Sequence, residues 1–448
     1  MVEMITYSII QKSQLEGALR IDAEYYQPEY LKIIQNLNKL KAIPIDEVAI
    51  NPKRKFKPQE NVPFRYIEIS EIDLSTGEFV VSEITGENAP DRAQWIVEKD
   101  DVIVSTVRPI RNAVALIGGD SKDLVCSSGF AVLEPRKVDP EYLFVYLKSK
   151  PIVKLLDRLT TATMYPAVTT DDILNTRIYL GNENFRQEIK DKVIEAQKKL
   201  DQSKSLYFQS ENLLLQELGL SDFKIEEDLS FIVNLSEIKD ANRIDAEYFQ
   251  PKYKKIIGKV EKHKLELLGN LVSMKKGFEP GSEEYQDEGK LFIRVSNISR
   301  FGFTDKDQKY LSNELYQDLK DSFEPKIGEI LLTKDATPGI AYVLEEKIEG
   351  IIASGIMRLK IKEDIEAGYL ALCINSIVGQ MQIQRDAGGS IISHWKPEQI
   401  KNLQIPILPK SIQQKIADLV CKSHEIRKKA KELLNEAKRK VEELIEKT

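Results

Sequence analysis

Arg20-Ile21-Asp22-Ala23-Glu24-Tyr25-Tyr26-Gln27-Pro28-Glu29-Tyr30-Leu31-Lys32-Ile33-Ile34 returns later in the chain as Arg243-Ile244-Asp245-Ala246-Glu247-Tyr248-Phe249-Gln250-Pro251-Lys252-Tyr253-Lys254-Lys255-Ile256-Ile257, with twelve of fifteen positions identical. Stretches this alike and this far apart mark duplicated domains, because solenoid units recur every few tens of residues. The repetition runs on with small drifts in spacing, as diverged copies do when insertions collect in loops. Ile67-Glu68-Ile69-Ser70-Glu71-Ile72 lines up with Ile293-Arg294-Val295-Ser296-Asn297-Ile298, and Asp101-Val102-Ile103-Val104 with Glu329-Ile330-Leu331-Leu332. Ser128-Gly129 then matches Ser354-Gly355, and Asp172 to Ile178 matches Gln399 to Ile405. The expected fold class is α+β, with two tandem pseudo-symmetric domains, each entered by a short helical segment and followed by a long helix.

Between residues 61 and 135, short β-branched runs alternate with turn signals such as Ser75-Thr76-Gly77 and Gly118-Gly119-Asp120, a pattern that predicts a small sheet. Val102-Ile103-Val104 and Val114-Ala115-Leu116-Ile117 read as neighbouring strands joined by the loop Ser105 to Asn112; Ile330-Leu331-Leu332 and Ile340 to Leu344 repeat them around the loop Lys334 to Gly339. One helix is expected over about Glu141 to Leu159, and its counterpart over about Tyr369 to Gln384. Helices are also expected over about 183 to 218 and 411 to 446. Ile189, Val193, Ala196, Leu200, Ser203, Tyr207, Ser210 and Leu214 follow a four-three spacing in the first, as do Ile416, Leu419, Ser423, Ile426, Ala430, Leu433 and Ala437 in the second. One line of each seam is small at every seventh position, Ala196, Ser203 and Ser210 against Ser423, Ala430 and Ala437, which permits a closer approach than a leucine seam. A helix of that length, about 54 Å at 1.5 Å per residue, outruns a small domain and needs a partner, the alternative being that each packs on its own domain. The expected parts are 1–182 and 221–409 as domains, and 183–220 and 410–448 as long helices.

At 448 residues and 42% hydrophobic, the chain has room for several ordinary cores. No run of eighteen apolar residues is present, and no basic segment followed by an apolar stretch opens the chain, so the expectation is a cytoplasmic protein without a membrane span. Cys126, Cys373 and Cys421 are scattered singly, as are His263, His394 and His424, which predicts free buried thiols and no metal site. A net charge of −6 speaks against a free-standing nucleic-acid binder, since affinity for phosphates comes from Lys and Arg. Positive charge gathered on one face while acidic surface meets protein partners reconciles the two.

Two related domains joined by paired helices suggest a calliper with a pseudo-two-fold arrangement. Half-sites read from one face of duplex DNA recur about every 34 to 36 Å, within the reach of such rods. That layout, with Gly388-Gly389-Ser390 through His394-Trp395, Ile400, Leu403, Ile405-Pro406-Ile407 and Gln413-Gln414-Lys415-Ile416, resembles the specificity subunit of type I restriction-modification systems. The first copy carries the pattern more loosely, as Thr161-Ala162-Thr163-Met164-Tyr165-Pro166, Ile173, Ile178-Tyr179-Leu180 and Arg186-Gln187-Glu188-Ile189. The resemblance implies a non-catalytic reader. Its two target recognition domains each contact half of a bipartite double-stranded DNA site, and its long helices pair as an antiparallel coiled coil whose length sets the gap. It also implies docking of two methyltransferase subunits, to which two translocating restriction subunits can be added. S-adenosylmethionine, ATP and magnesium belong to those partners, and no cofactor to this chain.

The sequence agrees with that absence of chemistry. It lacks a Gly-x-x-x-x-Gly-Lys-Ser/Thr phosphate loop and an Asn/Asp-Pro-Pro-aromatic tetrapeptide. Nuclease-like triplets at Asp307-Gln308-Lys309 and Glu345-Glu346-Lys347 are expected by composition in a chain that is 30% charged. A twin-domain protein adaptor and a cryptic nuclease are the rival readings. Candidate DNA contacts in the first half are Lys53, Arg54, Lys55 and Lys57, a basic run around Phe56 that offers one aromatic face, then Arg108 and Arg111, then Thr161, Thr163 and Tyr165. In the second half they are Lys275, Lys276, Lys334, Thr337, Arg385, Ser390, His394 and Lys396. A solvated turn, or pairing with Asp and Glu inside the fold, is the alternative for the basic ones. The repeated Arg-Ile-Asp-Ala-Glu-Tyr motif is too alike in both copies to read different bases. It either packs against the long helices, with Arg20 and Arg243 on nearby carboxylates, or forms two equivalent docking sites for identical partners.

Overall fold

Val102–Ser105 and Leu124–Ser127 are buried along their whole length, as short apolar runs must be when both faces are covered. A computed structural model of the protein describes residues 7–13, 15, 20–160, 164–225, 230–387 and 394–447. It divides into two compact units, Met1–Lys198 with Lys429–Thr448, and Lys199–Lys428.

In the first unit, Ala49–Ile50, Phe130–Pro135, Val102–Ser105 and Val114–Leu116 form an antiparallel sheet in that order. Ser82–Thr85, Pro63–Ile67, Leu124–Ser127 and Ala93–Ile96 form another, in which Pro63–Ile67 runs parallel to Leu124–Ser127. Ile67, Ile103, Ala115, Cys126 and Phe130 fill the core that the two sheets share. In the second unit, Val272–Lys276, Ile356–Ile361, Ile330–Thr333 and Ala341–Val343 repeat the first sheet in order and direction. Lys309–Leu311, Lys290–Ile293 and Gly350–Ile352 repeat the first three strands of the second, with the same single parallel pair. A two-stranded pair also recurs, Ile43–Pro44 with Arg177–Ile178 and Lys264–Leu267 with Gln404–Ile407. The duplication read from sequence is thus a duplication of topology.

Each expected single helix after the sheets is two helices, Pro140–Lys148 with Lys150–Arg158, and Ala367–Asn375 with Ile377–Asp386. The break falls on a serine in extended conformation, Ser149 or Ser376, whose hydroxyl donates to the carbonyl three residues back, Tyr146 or Cys373. Pro151 supplies the stop in the first copy, having no N–H to give. In the second copy Gly379 does the comparable work: a Cβ there would stand 2.2 Å from the Ile374 carbonyl oxygen, so the corner closes only on glycine.

The long helices span Glu183–Leu218 and Lys410–Glu446. Within the first unit, Glu188 meets Lys440 and Lys192 meets Glu436, each at 2.9 Å. Numbers rise on one helix as they fall on the other, so the pair is antiparallel. Within the second unit the Ser203 and Ser423 hydroxyls lie 3.0 Å apart, and Ser423 Oγ also donates to the Ser203 carbonyl at 2.7 Å. Ile189, Ala196, Ser203, Ser210, Ile416, Ser423, Ala430 and Ala437 are all fully buried. The first seam is as expected, but the second turns by one residue in alternate layers: Val420, Arg427 and Leu434 are buried where Leu419, Ile426 and Leu433 were expected. Side chains of the same unit draw it round, since the Arg427 guanidinium stacks on Phe301 at 4.9 Å, and Phe301 in turn packs on Tyr207. Cys126 and Cys373 are buried as expected, whereas Cys421 is exposed, because the helix face it occupies looks outward.

Candidate nucleic-acid interface

Both units build the same backbone joint. The Thr106 N–H donates to the Gly129 carbonyl at 2.8 Å, and the Thr106 carbonyl accepts from the Val168 N–H at 2.9 Å; Lys334 does the same with Gly355 and Trp395, at 2.9 and 2.8 Å. Each joint ties the loop after a buried strand to the segment that follows the second helix of the broken pair. Isolated bridges extend it, Val107 with Ala167 and Asp335 with His394. Side chains on the two joints then differ. In the first, Arg108 sits in the left-handed region with φ of 49° and lays its guanidinium 5.6 Å from the Tyr165 ring, whose side chain is 67% exposed. Arg111 is exposed on the short turn Pro109–Arg111. In the second, Asp335 receives Lys334 at 2.5 Å on one oxygen and His394 Nδ1 at 2.8 Å on the other. Burial alone would raise the Asp335 carboxyl, but these two partners hold it below the usual carboxylate range. Thr337 and Lys396 are exposed beside this group in sequence. Thr161, Thr163, Ser390 and the pair Gly388-Gly389 lie outside the described residues.

Several basic candidates are spent inside the fold. Arg54 pairs with Asp101, and with Glu134 and Glu98 at 3.0 and 3.3 Å. Asp101 is 1% exposed; burial pushes its carboxyl up against the pull of Arg54. The second unit keeps this buried acid as Glu329 but neutralises it with Arg358 from a neighbouring strand, at 3.1 Å. In both, the acid closes a turn by accepting from the N–H three residues earlier, Glu98 or Lys326, at 2.8 Å. A buried carboxylate needs its guanidinium, so the expectation of Arg54 on DNA is corrected. Lys334 is corrected likewise, being buried against Asp335. Phe56 is half-buried and packs on Phe64 with centroids 4.6 Å apart. Lys53, Lys55 and Lys57 around it are exposed, with Lys53 at φ of 51°, on a segment bridged to Trp95. Lys275 and Lys276 are exposed at the end of a strand, Lys275 lying over the Phe323 ring at 5.2 Å. Of the nuclease-like triplets, Glu345 and Glu346 are engaged by His424 and Lys428 of the long helix.

Arg385 packs on the repeated motif from the helix that the motif caps. Its guanidinium lies 5.5 Å from the Tyr248 ring, over which Arg243 also lies at 4.4 Å. Arg243 bonds Asp245 through two nitrogens and reaches the carbonyls of Arg385 and Asp386, the last of that helix. The first copy repeats each contact: Arg20 on Asp22 and on the carbonyls of Arg158 and Thr160, and both Arg20 and Arg158 over Tyr25, at 4.5 and 3.5 Å. The motif is a helix C-terminal cap made by a guanidinium, a favourable place for positive charge. Its arginines do pair with carboxylates, but its seat is the end of the broken helix pair and not the long helices. Sequence reasoning missed Arg158, Tyr25 and Tyr248; the near-identity of the two motifs was the available signal, and Arg158 has none.

Two α+β units repeat one joint, and each holds a stretch of both long helices packed side by side. Residues 258–438 match the family model described as Type I restriction modification DNA specificity domain. The specificity subunit of the type I restriction enzyme HindI of Haemophilus influenzae is 23% identical over 187 residues, 40% of this chain and 39% of that protein. The aligned part therefore spans less than half of the curated relative. Solved structures that resemble the chain over 90% of its length include the HsdS subunit from Thermoanaerobacter tengcongensis, 20% identical over 95% of that chain with a TM-score of 0.33. The type I restriction-modification S subunit from M. genitalium is 14% identical over 94% of its chain, with a TM-score of 0.37. Among the described residues, no helix is long and apolar enough to cross a membrane.

Proposed function

We propose that the chain is the DNA sequence-specificity subunit of a type I restriction-modification complex, non-catalytic, cytoplasmic and reading a bipartite double-stranded site. One observation carries this reading: the two joints share their backbone and differ in their side chains, Arg108 and Tyr165 against Asp335 and His394. A common frame with divergent side chains suits two readers of different sequences on one kind of polymer, because phosphate contacts position and base contacts specify. Arg111, Thr161, Thr163 and Tyr165 are the proposed base-side contacts of the first half, and Thr337, Ser390, His394 and Lys396 those of the second. Lys53, Lys55, Lys57, Lys275 and Lys276 are assigned to phosphates. The segments 1–182 and 221–409 act as target recognition domains, and the paired helices 183–220 and 410–448 as the spacer. Two methyltransferase subunits dock on it and two restriction subunits can join; S-adenosylmethionine, ATP and magnesium are theirs. Replacing residues 45–180 by those of a relative tests the reading through the host methylome. One half of the methylated site is expected to change. An unchanged methylome, or a wild-type complex without salt-dependent DNA binding, overturns it in favour of a protein adaptor.

A further inference from the structure

The two ring nitrogens of His394 have different surroundings. Nδ1 lies 2.8 Å from one oxygen of Asp335, whose other oxygen receives the Lys334 ammonium at 2.5 Å. Lys334 is buried and the Asp335 side chain is 23% exposed, so the ion pair is largely shielded, whereas the His394 side chain is 61% exposed. An ionised carboxylate only accepts hydrogen bonds. The bond to Asp335 therefore places the ring proton on Nδ1 and leaves Nε2 of the neutral imidazole with a lone pair. No described residue bonds Nε2. Lys334 also answers the charge of Asp335, which alone would repel a polyanion; what the carboxylate then gives is orientation.

The backbone holds the ring in place as well. His394 bridges Asp335, and the next residue, Trp395, is 1% exposed and donates its N–H to the Lys334 carbonyl at 2.8 Å. The loop is the one used in the first unit: Arg108 and Ala336, each two residues after the joint, both take the left-handed conformation, at φ of 49° and 60°. At that shared position the first unit carries a guanidinium, which only donates, and the second a methyl group. Hydrogen-bonding polarity is thus opposite on the two joints, a donor at Arg108 and an acceptor at His394 Nε2.

The geometry points to His394 Nε2 as the acceptor that reads an exocyclic amino group, N6 of adenine or N4 of cytosine, in the half-site bound by the second unit. This assignment rests on the DNA-reading function proposed above and adds the chemical group that is read. Those amino groups are the donors that base pairs present in the major groove, where guanine shows only acceptors. A phosphate likewise only accepts, and gives a lone pair nothing to bind.

The test is binding of the full chain, in complex with its methyltransferase subunit, to duplexes carrying the site found in the host methylome, read by fluorescence anisotropy. The half-site of the second unit is the one that exchange of residues 45–180 leaves unchanged. In it, each adenine is replaced in turn by purine and each cytosine by 2-pyrimidinone, which lack the amino group. At one such position wild type is expected to lose about five- to tenfold in affinity, the worth of one hydrogen bond. His394→Ala is expected to bind the altered and unaltered duplexes equally there. Its unfolding midpoint stays near that of wild type, because the ring is exposed and Asp335 keeps Lys334. A 7-deazapurine substitution that weakens wild type but not His394→Ala shows Nε2 donating, and overturns the assignment. So does a folded His394→Ala that discriminates every analogue as wild type does. Both results leave the specificity reading standing, whereas a wild-type complex without salt-dependent DNA binding overturns the two together.

Discussion

Ser423→Leu separates a close-packed small-residue seam from an ordinary apolar one. Ser423 and Ser203 are fully buried, their hydroxyls 3.0 Å apart, and Ser423 Oγ lies 2.7 Å from the Ser203 carbonyl. Leucine deletes those bonds, a loss of about 1 kcal/mol. It also forces extra methyl groups into a gap one hydrogen bond wide, at about 1–3 kcal/mol for overpacking. The expected total is a destabilisation of about 2–4 kcal/mol. Ser423→Ala loses the bonds alone and costs about 1 kcal/mol. Were the helices spaced as in a leucine seam, the same leucine would add about 1.5–3 kcal/mol of burial and stabilise the protein. The sign therefore decides. Urea unfolding followed by circular dichroism at 222 nm reads it as a change in midpoint at constant slope; a leucine variant with a midpoint above wild type refutes the close approach.

Arg54→Ala should destabilise the first unit by roughly 3 kcal/mol, because Asp101 is left buried and unpaired, and adding Asp101→Asn should restore most of it. Loss of DNA affinity at unchanged unfolding midpoint would instead return Arg54 to the interface. Lys57→Ala should weaken binding to all DNA sequences alike and lower the slope of affinity against salt by about one ion, measured by fluorescence anisotropy at several salt concentrations. Arg111→Ala should relax one position of one half-site, which sequencing of methylated genomic bases would register. Inserting one turn, about 5.4 Å of helix, within residues 183–218 should lengthen the gap and leave the half-site bases alone; altered bases would contradict the spacer.

Much of the candidate site was hidden because ion pairs are not written in a sequence. Arg54 stands in a basic run with Lys53, Lys55 and Lys57, and nothing in that run says that Asp101 sits behind it. Lys334 looks like the strand-end residue of any loop until Asp335 and His394 close around it. Exposure separates the remaining candidates, and exposure is decided by strands far apart in the chain, such as the bridge from Lys55 to Trp95.

The sequence by itself determined the duplication, the α+β class, the bounds of the long helices and the first seam. Those are properties of periodicity and repetition, which local residue order carries. Tertiary structure alone decided that each expected helix is broken at Ser149 or Ser376, that the second seam turns to Val420 and Arg427, and that the repeated motif caps a helix end. Each of those depends on which distant group arrives: a carbonyl row for Arg20 and Arg243, or the Phe301 ring for Arg427. A buried charge or a helix terminus accepts whichever partner the fold brings within reach, and that distance exists only after folding.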